Sequence, residues 1–350
     1  MKYVSRNSRV LSVAPMMDRT DRHCRFLLRL LAPNAWLYTE MITAVALIRG
    51  DREEILRHDD CEHPLALQLG GSDPAELSLA ARYGEDAGYD EINLNVGCPS
   101  DRVQAGEFGA ALMADPQRVA EGVAAMSAVV DVPVTVKTRL GIDDQDSYEF
   151  LCRLVDAVAA TGCGTIIIHA RKAWLTGLSP KENRDIPPLD HDRVRRLKAD
   201  YPQLEIITNG GLCDKAEILE HLEHVDGVML GRQAYQHPYL LAALDREIFG
   251  GAPPPSCTAV LEAYISYLEE EMSRGTPLKS MTRHLMGLYA GQPGGRQWRR
   301  FLGELPQGRE GLAALSDRRK TGSHQSYAHG PGGSRRPAPL EVGLTGSNLS

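Results

Sequence analysis

Eight short β-rich apolar runs, each followed by a stretch with helical spacing, constrain this chain more than any other feature. They are Val10 to Ala14, Trp36 to Thr39, Leu65 to Leu69, Glu91 to Asn95, Val134 to Lys137, Thr165 to His169, Glu205 to Thr208 and Gly227 to Leu230. Strand and helix in strict alternation predict a parallel sheet. Helix starts are legible between the runs: Asp73-Pro74 before Ala75 to Ala87, Asp115-Pro116 before Gln117 to Val130, and Asp214 before Lys215 to Leu222. Each places an N-capping carboxylate, twice with a proline behind it, where a first helical turn needs one. Eight such units suit a closed (β/α)8 TIM barrel better than an open doubly wound sheet, and no G-x-G-x-x-G follows the first run.

After Phe249 the pattern changes to GGAPPPS, a linker, and helical periodicity resumes without strands at Thr258 to Arg274, Leu278 to Ala290 and Gly295 to Leu305. The expected organisation is therefore an α/β barrel domain over 1–248, a small all-helical domain over 256–305, and a disordered tail over 306–350. That last segment holds 18 Gly, Pro or Ser in 45 positions. No apolar run is long enough to span a membrane and the start does not look like a signal peptide. The seven scattered cysteines include no C-x-x-C pair. That argues for a reducing, cytoplasmic setting and against a structural metal. The formal net charge is −7, yet from Lys279 to Leu302 there is no Asp or Glu, while Lys279, Arg283, Arg296, Arg299 and Arg300 surround Tyr289 and Trp298. Such a patch can neutralise phosphates and stack on bases in an otherwise acidic protein, or be a solvated helix face.

Barrels of this kind carry their chemistry at the C-terminal ends of the strands. Those positions hold Pro15-Met16-Met17, Gln68, Asn95 and Cys98, Lys137 and Arg139, His169 and Arg171, Asn209-Gly210-Gly211, and Gly231-Arg232. The glycines after the seventh and eighth runs let backbone N–H groups approach a phosphate, with Arg232 supplying charge; each pair alone could equally be a tight turn. Lys137 could be a Schiff-base nucleophile, a phosphate partner, a cation beside a flavin, or a lysine reaching out of the rim. His169 could be a core residue. Gln68 suits an imide edge such as that of flavin or uracil, or is a buried structural amide. Cys98, in the Gly/Pro-bounded loop of NLNVGCPS, has little packing value there. It could donate a proton, act as a thiolate, or be structural.

Together VAPMMDRTDRHCR, LALQLGG, INLNVGCPS, VTVKTRLG, IIIHAR, ITNGG and VMLGRQAY resemble the tRNA-dihydrouridine synthases in order and spacing. TGLSPKENRDIPPLD and GQPGGRQWRRFL resemble that family's A-type branch, which acts on uridines 20 and 20a of the D-loop. The resemblance covers residues 9 to about 305, and the tail with its GPGGSRRPAPLE departs from the family's closing helix. It implies an FMN site formed by Pro15, Met16, Met17, Gln68, Lys137, His169, Asn209, Gly210, Gly211, Gly231 and Arg232. It implies Cys98 as general acid, NADPH as reductant, and tRNA held by Asn95, Arg184, Lys279, Arg283, Arg299 and Arg300. No protein partner is implied. The competing expectations are a flavin barrel acting on a small molecule, as dihydroorotate dehydrogenases do, a lysine-dependent aldolase barrel, and a non-catalytic RNA-binding protein. The basic helix around Trp298 speaks against the first.

Overall fold

The computed structural model describes residues 8–100, 106 and 108–322. Nine parallel strands form the sheet: β1 (Leu11–Val13), β2 (Leu37–Tyr38), β3 (Ile42–Thr43), β4 (Leu65–Gly70), β5 (Glu91–Val96), β6 (Val134–Arg139), β7 (Thr165–His169), β8 (Glu205–Asn209) and β9 (Gly227–Leu230). Their order is β1-β9-β8-β7-β6-β5-β4-β2, with β3 a short addition beside β4. A parallel bridge between Ser12 and Trp36 closes the ring, the Val13 N–H reaching Trp36 O and the Trp36 N–H reaching Leu11 O, both at 2.9 Å. The expected eight-stranded barrel is present, and all eight runs are strands or lie against one.

Side chains alternate across a strand, so residues of one parity point into the barrel and the others outward. Outward go Leu65, Leu67 and Leu69, Ile92 and Leu94, Val134 and Val136, Ile166 and Ile168, all buried under the surrounding helices. Inward go Tyr38, Ala66, Ile167, Ile207 and Met229, which form their own small buried cluster. The same inward parity carries Gln68, Glu91, Asn93, Asn95, Thr135, Lys137, Arg139, His169 and Asn209. The interior thus combines an apolar cluster with polar side chains carried on some of the same strands, β4, β7 and β8. The outer helices begin as their sequences dictate. The Asp73, Asp115 and Asp214 carboxylates accept first-turn N–H groups of Pro74–Asp86, Pro116–Ser127 and Lys215–His221 respectively.

The C-terminal helices have a second apolar core. Cys257–Ser273 supplies Leu261, Tyr264 and Leu268, Gly295–Glu304 supplies Trp298 and Leu302, and the core closes on Leu27 and Leu31 of the first barrel helix, Arg22–Leu31. That helix is packed on both sides. Arg22 pairs with Glu271 across the junction, and His23 Nδ1 lies 2.7 Å from the Tyr267 hydroxyl. Two expectations change here. Leu278 to Ala290 is not one helix but an α-helix Leu278–Thr282 followed by a 3-10 turn Arg283–Gly287. Gly287 lies flat against the chain, where a Cβ would come within 2.6 Å of the Tyr235 carbonyl oxygen, so packing overrides the periodicity. The tail is also not disordered from residue 306: Gly308–Gly322 is a helix. Its Leu315 is fully buried in the second core. The compositional bias misleads because 13 of the 18 Gly, Pro and Ser residues fall after 322, outside the described residues.

Candidate active site

Parallel register sets the site. Asn95 lies beside Lys137 on β5 and β6, Arg139 beside His169 on β6 and β7, and His169 beside Asn209 on β7 and β8. All share the inward parity, so four successive strands aim polar groups into the C-terminal mouth. Asn209 is buried and its Nδ2 donates to Met229 O at 2.7 Å. Pro15 and Met16, just after β1, are half-buried, and Met17 is 56% exposed.

Gly210 and Gly211 follow β8 with φ of 108° and 69°, in the left-handed region where a side chain is strained. A Cβ at Gly210 would come within 2.5 Å of His169 Cδ2, so this glycine leaves the imidazole its place. Gly231 is less constrained, the nearest atom to an added Cβ being Ala14 Cβ at 4.0 Å. Arg232 next to it is exposed and pairs with Asp185 at 2.7 Å, which holds that carboxyl below its ordinary value.

The mouth is cationic. Burial, then Arg139, pull the Lys137 ammonium down to about 7. Burial takes His169 well below the usual imidazole value, assisted by Arg139, Lys137, Arg171 and Arg184. Arg139 itself falls to about 10 by burial and by the neighbouring arginines 184 and 171. Several like charges in one low-dielectric opening, with Asp185 on the rim, constitute a site short of negative charge.

Cys98 sits half-buried beyond β5. Its own N–H and that of Gly97 both donate to Asn95 Oδ1, at 2.9 and 3.1 Å, and Arg139 Nε donates to Gly97 O at 2.9 Å. The Gly97 peptide is held from both sides and the Sγ is 3.5 Å from the Ser100 hydroxyl. Gln68 is buried, donating from Nε2 to Asn93 Oδ1 at 2.8 Å and accepting from Asn95 Nδ2 at 2.9 Å. Asn93, Thr135 and Glu91, which support this network, were not singled out by the sequence reading. The parity of β5 and β6 was the available signal.

The basic residues divide. Arg184 ends the 3-10 turn Glu182–Arg184, exposed at the rim and close enough to Arg232, Asp185 and Arg19 to feel their charge. Lys279, Arg299 and Arg300 are exposed on the helical extension, Arg300 paired with Glu304 at 3.0 Å. Arg283 is already committed to Asp21 at 2.8 Å. Trp298 is a core residue, 4% exposed with its indole N–H donating to Leu285 O at 2.7 Å, so it is not presented for base stacking. Tyr289, half-buried, packs on it at 4.8 Å.

The amide, thiol and cationic groups of this mouth come from the motifs that carried the family resemblance. Comparison with protein families matches residues 12–321 to the family described as Dihydrouridine synthase (Dus). Among similar proteins is the tRNA-dihydrouridine(20/20a) synthase of Escherichia coli K12, 60% identical over 295 residues covering 84% of this chain and 85% of that one. Proteins of the same name from Shewanella oneidensis and Vibrio cholerae are each 58% identical, covering 85% and 84% of this chain and 88% and 90% of theirs. The matched span takes in all but the first residue of the barrel's strands, the helical extension and nearly all of the Gly308–Gly322 helix, and the chain belongs to the dihydrouridine synthase family.

Proposed function

We propose that this protein reduces the C5=C6 bond of uridine in the D-loop of tRNA, at positions 20 and 20a, with bound FMN and with NADPH as reductant. The observation that carries the reading is the mouth itself: a half-buried thiol on a loop pinned from both sides, beside a lysine and arginines short of negative charge. The chain's residues fit a flavin. Gly210 has no Cβ where one would strike His169, the depressed Lys137 needs an anionic or electron-rich partner, and Gln68, in register with Asn93 and Thr135 one inward position below Lys137, offers an oriented amide. Backbone N–H groups of Gly210, Gly211 and Gly231, with Arg232, would take the phosphate, and Pro15, Met16, Met17 and Asn209 would bound the ring.

When bound and reduced by NADPH, FMN would supply the hydride for C6 of the uracil. Cys98 holds the proton that C5 takes, and its thiolate is reprotonated from solvent. Asn95 keeps the loop in place and stands beside the base, and Arg184 meets the flanking phosphate. The target base must leave the folded tRNA to reach this depth, which is least costly in an irregular loop. Residues 1–248 act as the FMN-binding domain. The helices over 256–305, completed by Gly308–Gly322, grip the RNA through Lys279, Arg299 and Arg300, with Arg283 as the contact that must first release Asp21.

The test is Cys98→Ala. It should retain FMN and NADPH oxidation while tRNA reduction falls about 10²- to 10⁴-fold, the range for losing one positioned acid. Loss of flavin in parallel with activity would make the cysteine structural and overturn this assignment.

A further inference from the structure

A directed train of hydrogen bonds runs through the barrel interior from its base to the Cys98 loop. At the base, Glu91 is fully buried and ion-paired with Arg9. The Thr135 hydroxyl donates to Glu91 Oε1 at 2.5 Å. Asn93 Nδ2 donates to Thr135 Oγ1 at 2.8 Å, Gln68 Nε2 to Asn93 Oδ1 at 2.8 Å, and Asn95 Nδ2 to Gln68 Oε1 at 2.9 Å. The train ends where Asn95 Oδ1 receives the Gly97 and Cys98 N–H groups. Every donor points towards Glu91.

The direction has a cause. A carboxylate paired with arginine only accepts, so the single hydroxyl proton of Thr135 must go to it, leaving the Thr135 oxygen to accept. Asn93 then has to present its NH2 group to Thr135 and its oxygen to Gln68, and the same logic passes to Gln68 and Asn95. An amide turned over would place NH2 against NH2 or oxygen against oxygen among side chains that are at most 9% exposed, where an unmet polar group is expensive. We infer that Glu91, through Thr135 and Asn93, is a positioning device: it fixes which way the Gln68 and Asn95 amides face, and so fixes the Cys98 loop and the amide edge shown to cofactor and base. The inference rests on the proposed role of Cys98, but the orientation of the amides is a property of the chain alone.

Thr135→Val removes the link while keeping the shape, and Thr135→Ser restores the hydroxyl. Thr165→Val is the control, because the Thr165 hydroxyl also donates to a carboxylate at the barrel base, Glu205 Oε2 at 2.6 Å; Glu205 meets Glu91 only through the guanidinium of Arg9, which both carboxylates share, and Thr165 itself contacts no amide of the train. Two readouts are needed. In flavin-free protein, the rate at which iodoacetamide alkylates Cys98, followed on its peptide by mass spectrometry, should change several-fold in Thr135→Val and return in Thr135→Ser. In flavin-loaded protein, reoxidation by tRNA should slow at least about tenfold, the scale of a small misplacement of a reacting group, while reduction by NADPH stays within about twofold. Thr135→Ala, which removes the same oxygen with a smaller side chain, is measured alongside and read identically if the valine variant does not fold. Unchanged Cys98 alkylation and tRNA reoxidation, equal slowing of both half-reactions, or the same behaviour in Thr165→Val would overturn the inference. If the parent protein itself ignores tRNA, the proposed function fails instead, and the alkylation rates still decide the train.

Discussion

Replacing Lys137 by methionine should make the flavin-free protein more stable and at the same time unable to hold its cofactor. The ammonium is drawn from 10.5 to about 7 by burial and by Arg139, a difference that corresponds to roughly 5 kcal/mol against the charged form. Lys137 keeps partial contact with solvent, which relieves part of the penalty, so about 2 kcal/mol is the expected gain on substitution near pH 7. For a chain of this size that is an increase in melting temperature of about 3 °C. Because the folded value lies below the unfolded one, the penalty is full below about pH 7 and disappears as pH rises towards 10.5. The two melting curves should therefore converge between pH 7 and pH 10. FMN should raise the melting temperature of the parent protein and leave Lys137→Met almost unmoved. Melts of both proteins, with and without FMN, at pH 6.5, 8 and 9.5 give all these comparisons. A variant that melts no higher at pH 6.5, or that FMN protects as well as the parent, would refute the reasoning that Lys137 is a buried charge awaiting an electron-rich partner.

Gly210→Ala introduces a Cβ at φ 108° and within 2.5 Å of His169 Cδ2. It should weaken FMN binding by at least about tenfold through backbone strain and a displaced ring, read by fluorescence titration, whereas an alanine at the less crowded Gly231 should cost less. Reversing Arg299 and Arg300 to Glu should weaken tRNA binding and flatten its dependence on salt while flavin content is unchanged, and filter binding at three salt concentrations tests it. Leu315→Ala should destabilise the helical extension by about 2–4 kcal/mol, since the side chain is fully buried in the second core; limited proteolysis should then open the Gly308–Gly322 helix before the barrel.

The barrel was legible because parallel strands buried on both faces must be apolar runs, and the helix caps Asp73, Asp115 and Asp214 announce themselves. The strand-end residues followed from the fold rule, and the alternation inside the strands brings Asn95, Lys137, His169 and Asn209 together. What sequence reasoning missed is relational. Trp298 sits in a basic stretch, yet its indole N–H is spent on Leu285 O. Arg283 looks free until Asp21, far away in the chain, is seen beside it. Asn93 and Thr135 look like ordinary strand polar residues until their bonds to Gln68 and Glu91 give them a direction. The helix Gly308–Gly322 was concealed because its few apolar residues, Leu312 and Leu315, acquire meaning from the surface they cover.

The central claim is that a flavin in this mouth passes reducing equivalents from NADPH to a tRNA uridine. The most direct measurement is the visible spectrum of the purified, FMN-loaded protein, taken anaerobically, then after NADPH, then after unmodified tRNA. The account predicts flavin bands that bleach with NADPH and return with tRNA in proportion to the dihydrouridine formed. Bands that bleach and then ignore tRNA would contradict it and favour a small-molecule substrate, and failure to retain FMN at all would contradict the assignment of the site.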